Sequence, residues 1–434
     1  MAKHKQVVIT GIGPVASTGI GKAAFWKGIL DKDVGLGTKE VKLNEEVWAT
    51  FPVHTLDRFD FTSFNLDKTA LAYMAEWKEE EPPIDLCYLI AAVDLALKDS
   101  GLKYGHDEND IGLVLAHENL GLMPFLLKLS ERAYTTLSEN ERSLSRKHFY
   151  EKLYKECLKS GYDVQSFMTL FHVAKIFNIH GYSLFVNNAC ASGLYAMESA
   201  AQMIRSNQNS AVVVAASDDA EIYKYFYFSD INLYSKDGKI RPFCKDGSGF
   251  VFGDGGIGIV MEDLEHAQRR NADIYAEYVA GGFSLEGWKV STPQIGSDSY
   301  QNAIVKALRQ GNMHKDEIQL LVPHGVGSPA IDYYEAKAIT SIFGSVPERP
   351  FITAFKPYVG HNLGGSALLE TAILLLSMRN KTVVPTLNCE NINQDLEISL
   401  VKEQIETTVN TAMKVCCAFA GYNAAAIFKR LNDM

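Results

Sequence analysis

The sequence predicts an α/β fold in which strands and helices alternate along most of the chain. Three observations predict it. Short β-branched or apolar runs recur, among them residues 7–10, 111–115, 211–216 and 318–322. Stretches with apolar residues at helical spacing separate them, such as 86–97 and 367–378. Strand, helix, strand at this spacing argues for βαβ units and a largely parallel sheet. The rhythm starts again in the second half, so we expect two similar halves, 1–265 and 266–434.

Residues 7–10 form the first strand, followed by Gly11-Ile12-Gly13-Pro14-Val15-Ala16. This nearly matches the dinucleotide fingerprint, but Pro14 occupies the turn, and Asp31 and Asp33 fall in a charged loop rather than at the end of a second strand. We read these glycines as permitting a tight strand-to-helix turn. Residues 86–97 form a helix that Asp99-Ser100-Gly101 ends, and 111–115 form a buried strand. Residues 130–159 carry many charges with Leu and Tyr at helical intervals, a helical excursion that is either a solvated face or a surface for a partner. Residues 182–186 are a strand, and 191–204 a small-residue helix. The aromatic run 222–228 is core or subunit interface, and 253–261 is a glycine-rich strand. A helix end at 266–272 and a strand at 274–280 lead into the second half. There, strands at 318–322 and 351–353 alternate with helices at 301–308, 334–343 and 367–378, and strands at 415–420 and 424–428 close the chain.

Composition narrows the function. The 434 residues are 47% hydrophobic and 22% charged, enough for a large core, and the net charge is −10. No long Lys/Arg run occurs, which excludes a nucleic-acid footprint. No apolar run approaches the length of a membrane span. Met1-Ala2-Lys3-His4-Lys5 is too short for a signal peptide and runs straight into a strand. The seven cysteines, at 87, 157, 190, 244, 389, 416 and 417, form neither a C-x-x-C pair nor a zinc spacing. We expect a soluble protein of the cytoplasm, in a reducing compartment.

Cys190 sits between the strand 182–186 and the helix 191–204, at a sharp turn. The backbone N–H groups and dipole of a helix N-terminus stabilise negative charge there. A cysteine so placed reacts more readily as the thiolate, and the same N–H groups suit an oxyanion. Two histidines, His324 and His361, stand just past strands, where open α/β sheets bind ligands. A thiol with imidazole partners leaves two chemistries open, a cysteine hydrolase or an acyltransferase.

Together, Asn188-Ala189-Cys190-Ala191-Ser192-Gly193, Pro323-His324-Gly325-Val326-Gly327-Ser328 and the stretch from Lys356 through His361 to Gly365 resemble the β-ketoacyl synthases, the elongating type acting on acyl carrier protein. The resemblance runs from Gly11-Ile12-Gly13 through Arg241-Pro242-Phe243 to Phe419-Ala420-Gly421. It implies the thiolase fold, two halves in an α-β-α-β-α layering, and a dimer of identical or related subunits. It implies an acyltransferase in which Cys190 holds an acyl chain as a thioester. His324 and His361 would donate to the thioester oxygen of malonyl carrier protein, and the Cys190 and Phe419 N–H groups would form an oxyanion hole. Lys356 would order the site, with Glu335 and Glu370 beside it in a catalytic or merely structural role. Ser328 would contact phosphopantetheine. No metal or tightly bound organic cofactor is implied, since the substrates ride on the carrier protein's phosphopantetheine.

The chain also departs from the family pattern. Val326 stands where a second hydroxyl is usual, and the glycine-rich gating loop reads Ala418-Phe419-Ala420-Gly421-Tyr422. The acyl-pocket strand end reads Ala116-His117-Glu118-Asn119-Leu120-Gly121, bulkier than usual, with Asn119 against the acyl chain. The excursion 130–159 is longer than in housekeeping enzymes. These changes point to specialised fatty-acid or polyketide biosynthesis. A closed acyl pocket would instead leave a malonyl carrier protein decarboxylase supplying acetyl units. Such relatives often lack the cysteine, which is present here.

Overall fold

The computed structural model describes residues 5–43, 46–64, 66, 82–104, 111–116, 165–344 and 350–431. Asn119, His117 and the excursion 130–159 lie outside the described residues.

Ten strands make one path across the molecule. The first five are β1 (Val7–Ala16), β2 (Ile111–Ala116), β3 (Ser183–Val186), β4 (Ala211–Asp218) and β5 (Gly255–Asp263). The second five are β6 (Ala276–Leu285), β7 (Leu320–Val322), β8 (Phe351–Ile352), β9 (Thr411–Cys417) and β10 (Tyr422–Lys429). Their spatial order is β8-β7-β9-β10-β6-β1-β5-β4-β2-β3, with the short strand Gly19–Ile20 paired to β1. The first five therefore lie as 1-5-4-2-3, and the second five repeat that order.

The sheet is mixed, not largely parallel. In each half the two pairs farthest from the molecular centre are parallel. The others are antiparallel, including the β1–β6 pair that joins the halves. The connections explain this. Helices α2 (Ser166–Phe177), α3 (Ser192–Arg205), α6 (Pro329–Phe343) and α7 (Ser366–Asn380) cross over between parallel strands. Only the short segment 418–421 joins β9 to β10, too little chain for a crossover, so the strand must turn back.

Helix α1 (Ile84–Ser100) covers β1 and β5, and α5 (Ser299–Gln310) covers β6 and β10. Between the two halves, α3 and α7 pack on each other. Residues 366–378 of α7 are buried all round, as an apolar helix without a polar face must be. The Cys190 segment and the His361 segment meet where these two central helices begin.

The Gly11–Ala16 stretch corrects the sequence reading. It is not a turn but the continuation of β1. A Cβ at Gly11 or Gly13 would overlap the backbone of α1, at Ala96 and Ala92. These glycines let a helix lie directly on a strand. The strand runs straight through these glycines, so the strand-to-helix turn that the dinucleotide fingerprint requires is absent here.

The aromatic run forms helix α4 (Ile222–Asp230). Tyr225 and Phe228 enter a core cluster with Tyr234, Phe250 and Phe252, while Tyr223 and Tyr227 remain exposed. Among the described residues no helix is long and apolar enough to cross a membrane.

Candidate active site

Four segments build the site. β3 ends at Val186, and the chain bends through Ala189, whose φ of 50° lies in the left-handed region. Ser192 at the start of α3 fixes that bend, accepting from the Asn188 N–H at 2.7 Å and donating to the Ala189 carbonyl at 2.6 Å. Cys190 is left beside the helix N-terminus, 8% exposed. After β7 the chain delivers His324, and after β8 it delivers Lys356 and His361. The segment between β9 and β10 delivers Phe419.

Cys190 Sγ lies 3.1 Å from His361 Nε2. The two imidazoles stand edge to face with centroids 5.6 Å apart, and the ligating atoms of Cys190, His324 and His361 all fall within 4.8 Å of one another. A pocket opens over them, lined by Phe250, Val326, Phe419 and the segment 289–293. Phe250 and His361 pack at right angles, with ring centroids 4.8 Å apart.

Behind the imidazoles lies a buried ionic cluster. Lys356 Nζ donates to the His324 carbonyl at 2.8 Å and to Glu370 at 2.6 Å, and stands 3.1 Å from His324 Nδ1. Burial opposes the Lys356 charge, but Glu370 and the nearby Cys416 outweigh it and hold the lysine above its ordinary value. An ammonium only donates, so His324 Nδ1 accepts and the proton of the neutral ring sits on Nε2, facing the pocket. Burial, then the Lys356 charge, holds both His324 and His361 well below the usual imidazole range, so both are neutral. A thiolate and two imidazoles form a donor set that zinc accepts. The Lys356 bond occupies the Nδ1 lone pair of His324 and leaves a proton on Nε2, so this ring has no free lone pair to offer a metal.

Glu335 anchors the His324 turn. It accepts the N–H groups of His324 at 2.6 Å and Gly325 at 2.8 Å, and the Tyr300 hydroxyl bonds to it as well. Glu335 thus orients backbone, whereas Glu370 holds the Lys356 charge.

The structure brings Cys190, His324, His361, Lys356 and Phe419 together. Ser328 stands apart from the pocket lining, buried at the start of α6, and Val326 faces the pocket. Three neighbours escaped the sequence reading. Lys414 Nζ, fully buried, donates to Glu370 at 2.5 Å and to the Pro323 carbonyl at 2.8 Å. Ser366 Oγ lies 2.7 Å from His361 Nδ1. Cys416, its thiol pushed up to about 12 by burial, lies 3.3 Å from both His324 Nδ1 and the Cys190 carbonyl. Lys414 had a sequence signal, a lone charge inside an apolar strand. Ser366 and Cys416 had none.

The comparisons agree with this architecture. A curated relative, the 3-oxoacyl-[acyl-carrier-protein] synthase 2 of Coxiella burnetii, is 26% identical over 99% of this chain and 100% of its own. The protein of the same name from Vibrio cholerae is 25% identical over 98% of this chain and 99% of its own. Among solved structures, the ishigamide ketosynthase/chain length factor superposes with a TM-score of 0.80 at 22% identity, covering 99% of this chain and 100% of that one. A type II polyketide ketosynthase, solved with its acyl carrier protein, superposes at 0.79 and 20% identity, with 99% and 100% covered. The architecture is the thiolase fold. Residues 4–267 match the β-ketoacyl synthase N-terminal domain and residues 275–390 its C-terminal domain, so that Cys190, His324 and His361 all fall inside the matched regions and the chain belongs to the β-ketoacyl synthase family.

Proposed function

We propose that the protein is a β-ketoacyl-[acyl carrier protein] synthase in which Cys190, His324, His361 and Lys356 carry the chemistry. The observation that carries this reading is the convergence of Cys190 Sγ and both imidazoles within 4.8 Å at the floor of one pocket.

In the first half-reaction the Cys190 thiolate attacks the thioester carbonyl of an acyl carrier protein. The new S–C bond forms, and the pantetheine thiolate leaves with the carrier and takes up a proton. The N–H groups of Cys190 and Phe419 receive the oxyanion. In the second half-reaction malonyl carrier protein occupies the vacated pocket. Its carbon–carboxylate bond breaks, carbon dioxide leaves, and the electron pair becomes an enolate. The Nε2–H groups of His324 and His361 hold the enolate oxygen. Neutral donors suit this step, since an imidazolium would protonate the enolate instead of preserving it. The enolate carbon attacks the acyl carbonyl, and collapse of the adduct releases the Cys190 thiolate.

The partner in this reading is acyl carrier protein, with phosphopantetheine as the carried group, and the enzyme works in the cytoplasm as a homodimer or with a related subunit. Residues 1–265 and 266–434 are its two duplicated halves, a division that the repeated strand order supports. Val326 in the pocket wall and Ala420, held at φ 59° in the gating loop, favour a specialised fatty-acid or polyketide role.

Intact-mass measurement after incubation with malonyl carrier protein and a panel of acyl carrier proteins tests the reading. We expect acyl mass on Cys190 followed by a β-ketoacyl carrier product. Acetyl carrier protein alone, with no adduct on the enzyme, would replace condensation with decarboxylation.

A further inference from the structure

Neutral imidazole has two tautomers, and only one suits the site proposed above. His324 receives its tautomer from the Lys356 ammonium. Nothing so far selects the tautomer of His361, because its Nδ1 faces a serine hydroxyl, which both donates and accepts.

The surroundings of that hydroxyl settle the direction. Ser366 is 1% exposed. Among the described residues, His361 Nδ1 at 2.7 Å is the only hydrogen-bond partner of Ser366 Oγ. If Nδ1 carried the proton, Oγ would accept it and the serine's own proton would be buried without an acceptor. Buried polar hydrogens are almost always placed on acceptors. The serine therefore donates, Nδ1 accepts, and the ring proton goes to Nε2, which points at Cys190 Sγ at 3.1 Å. Backbone and packing hold the buried ring in this arrangement. The His361 backbone N–H donates to the Val251 carbonyl at 2.7 Å, and Phe250 packs at right angles against the ring. Ser366 is the first residue of α7, so the rigid central helix holds its hydroxyl in place.

We infer that Ser366 is a positioning residue for condensation: its hydroxyl donates to His361 Nδ1 and so presents Nε2–H, rather than a lone pair, to the sulfur and to the malonyl thioester oxygen. In the resting enzyme His361 then donates to Cys190 and is not its general base. The Cys190 proton must leave by another route, such as release to solvent as the substrate enters.

The kinetic arm of the test rests on the synthase reading, whereas the spectroscopic arm does not. In wild-type protein labelled with 15N-histidine, the His361 resonances, assigned by their disappearance in His361→Asn, should show protonated Nε2 and an accepting Nδ1. A proton on Nδ1 overturns the inference whatever the enzyme's substrate. In Ser366→Ala, which removes one buried hydroxyl, malonyl decarboxylation should fall about tenfold in kcat with KM little changed, the order of one lost hydrogen bond. Ser366→Thr, which keeps the hydroxyl, should recover most of that loss. An unchanged kcat in Ser366→Ala overturns the positioning role. If wild-type enzyme neither decarboxylates nor condenses, the synthase reading fails, and the tautomer is still decided by the 15N spectrum.

Discussion

Lys414 Nζ lies 2.5 Å from one oxygen of Glu370, while Lys356 holds the other oxygen at 2.6 Å, and all three side chains are buried. One carboxylate thus serves two ammonium groups, one beside His324 and one beneath the Pro323 carbonyl that precedes it. Removing Lys414 leaves Lys356 and Glu370 as a buried pair, but strips one Glu370 oxygen and the Pro323 carbonyl of their buried charged donor. We predict that Lys414→Met lowers stability by about 3 kcal/mol, seen as a lower urea midpoint. Decarboxylation should also slow, because Lys356 loses its fixed place.

Cys190→Ala should form no acyl-enzyme and lose condensation by at least about a thousandfold, while retaining some malonyl decarboxylation. Intact mass and product analysis read both activities. Persistent condensation in this variant would remove Cys190 as nucleophile.

His361→Ala should reduce carbon dioxide release from malonyl carrier protein by roughly a hundredfold, the scale of losing one oxyanion donor. Acylation of Cys190 should suffer less. Labelled carbon dioxide trapping separates the two, and unimpaired release would take His361 out of the enolate site.

Gly13→Ala should destabilise the protein by roughly 3 kcal/mol or more. The added Cβ would overlap the Ala92 backbone, so α1 would have to lift from β1. Denaturant unfolding measures the loss. A stability near wild type would mean that the helix does not lie against this strand.

His54 and His172 are buried, and burial lowers both to about 4, with Lys175 adding to the effect at His172. Unfolding restores values near 6.5. Between about 6.5 and 4 the unfolded chain therefore binds more protons than the folded one, so stability falls as pH drops through that window. His324 and His361 act in the same direction. Thermal midpoints should be flat above pH 7 and decline steadily toward pH 4; a rise on acidification would contradict the buried neutral state.

By itself the sequence determined the alternation of strands and helices, because that rests on local periodicity of apolar residues. It also marked the residues that the fold brings together at the candidate site. Cys190 lies between a strand and a small-residue helix, and His324, Lys356 and His361 lie just past strands, so each is legible from its own flanks. Tertiary structure decided what depends on residues distant in sequence. The antiparallel pairs follow from where connections allow the chain to turn back, not from strand composition. Gly11 and Gly13 read as a turn because their neighbour, α1, lies some 80 residues away, and only its contact shows that the missing side chains make room for a helix. Ser366 and Cys416 carry no local mark of function, since a serine at a helix start and a cysteine in a buried strand are ordinary. They matter because the fold sets one hydroxyl against His361 Nδ1 and one thiol beside His324 Nδ1, and hydrogen bonds act over about 3 Å of space whatever the separation along the chain.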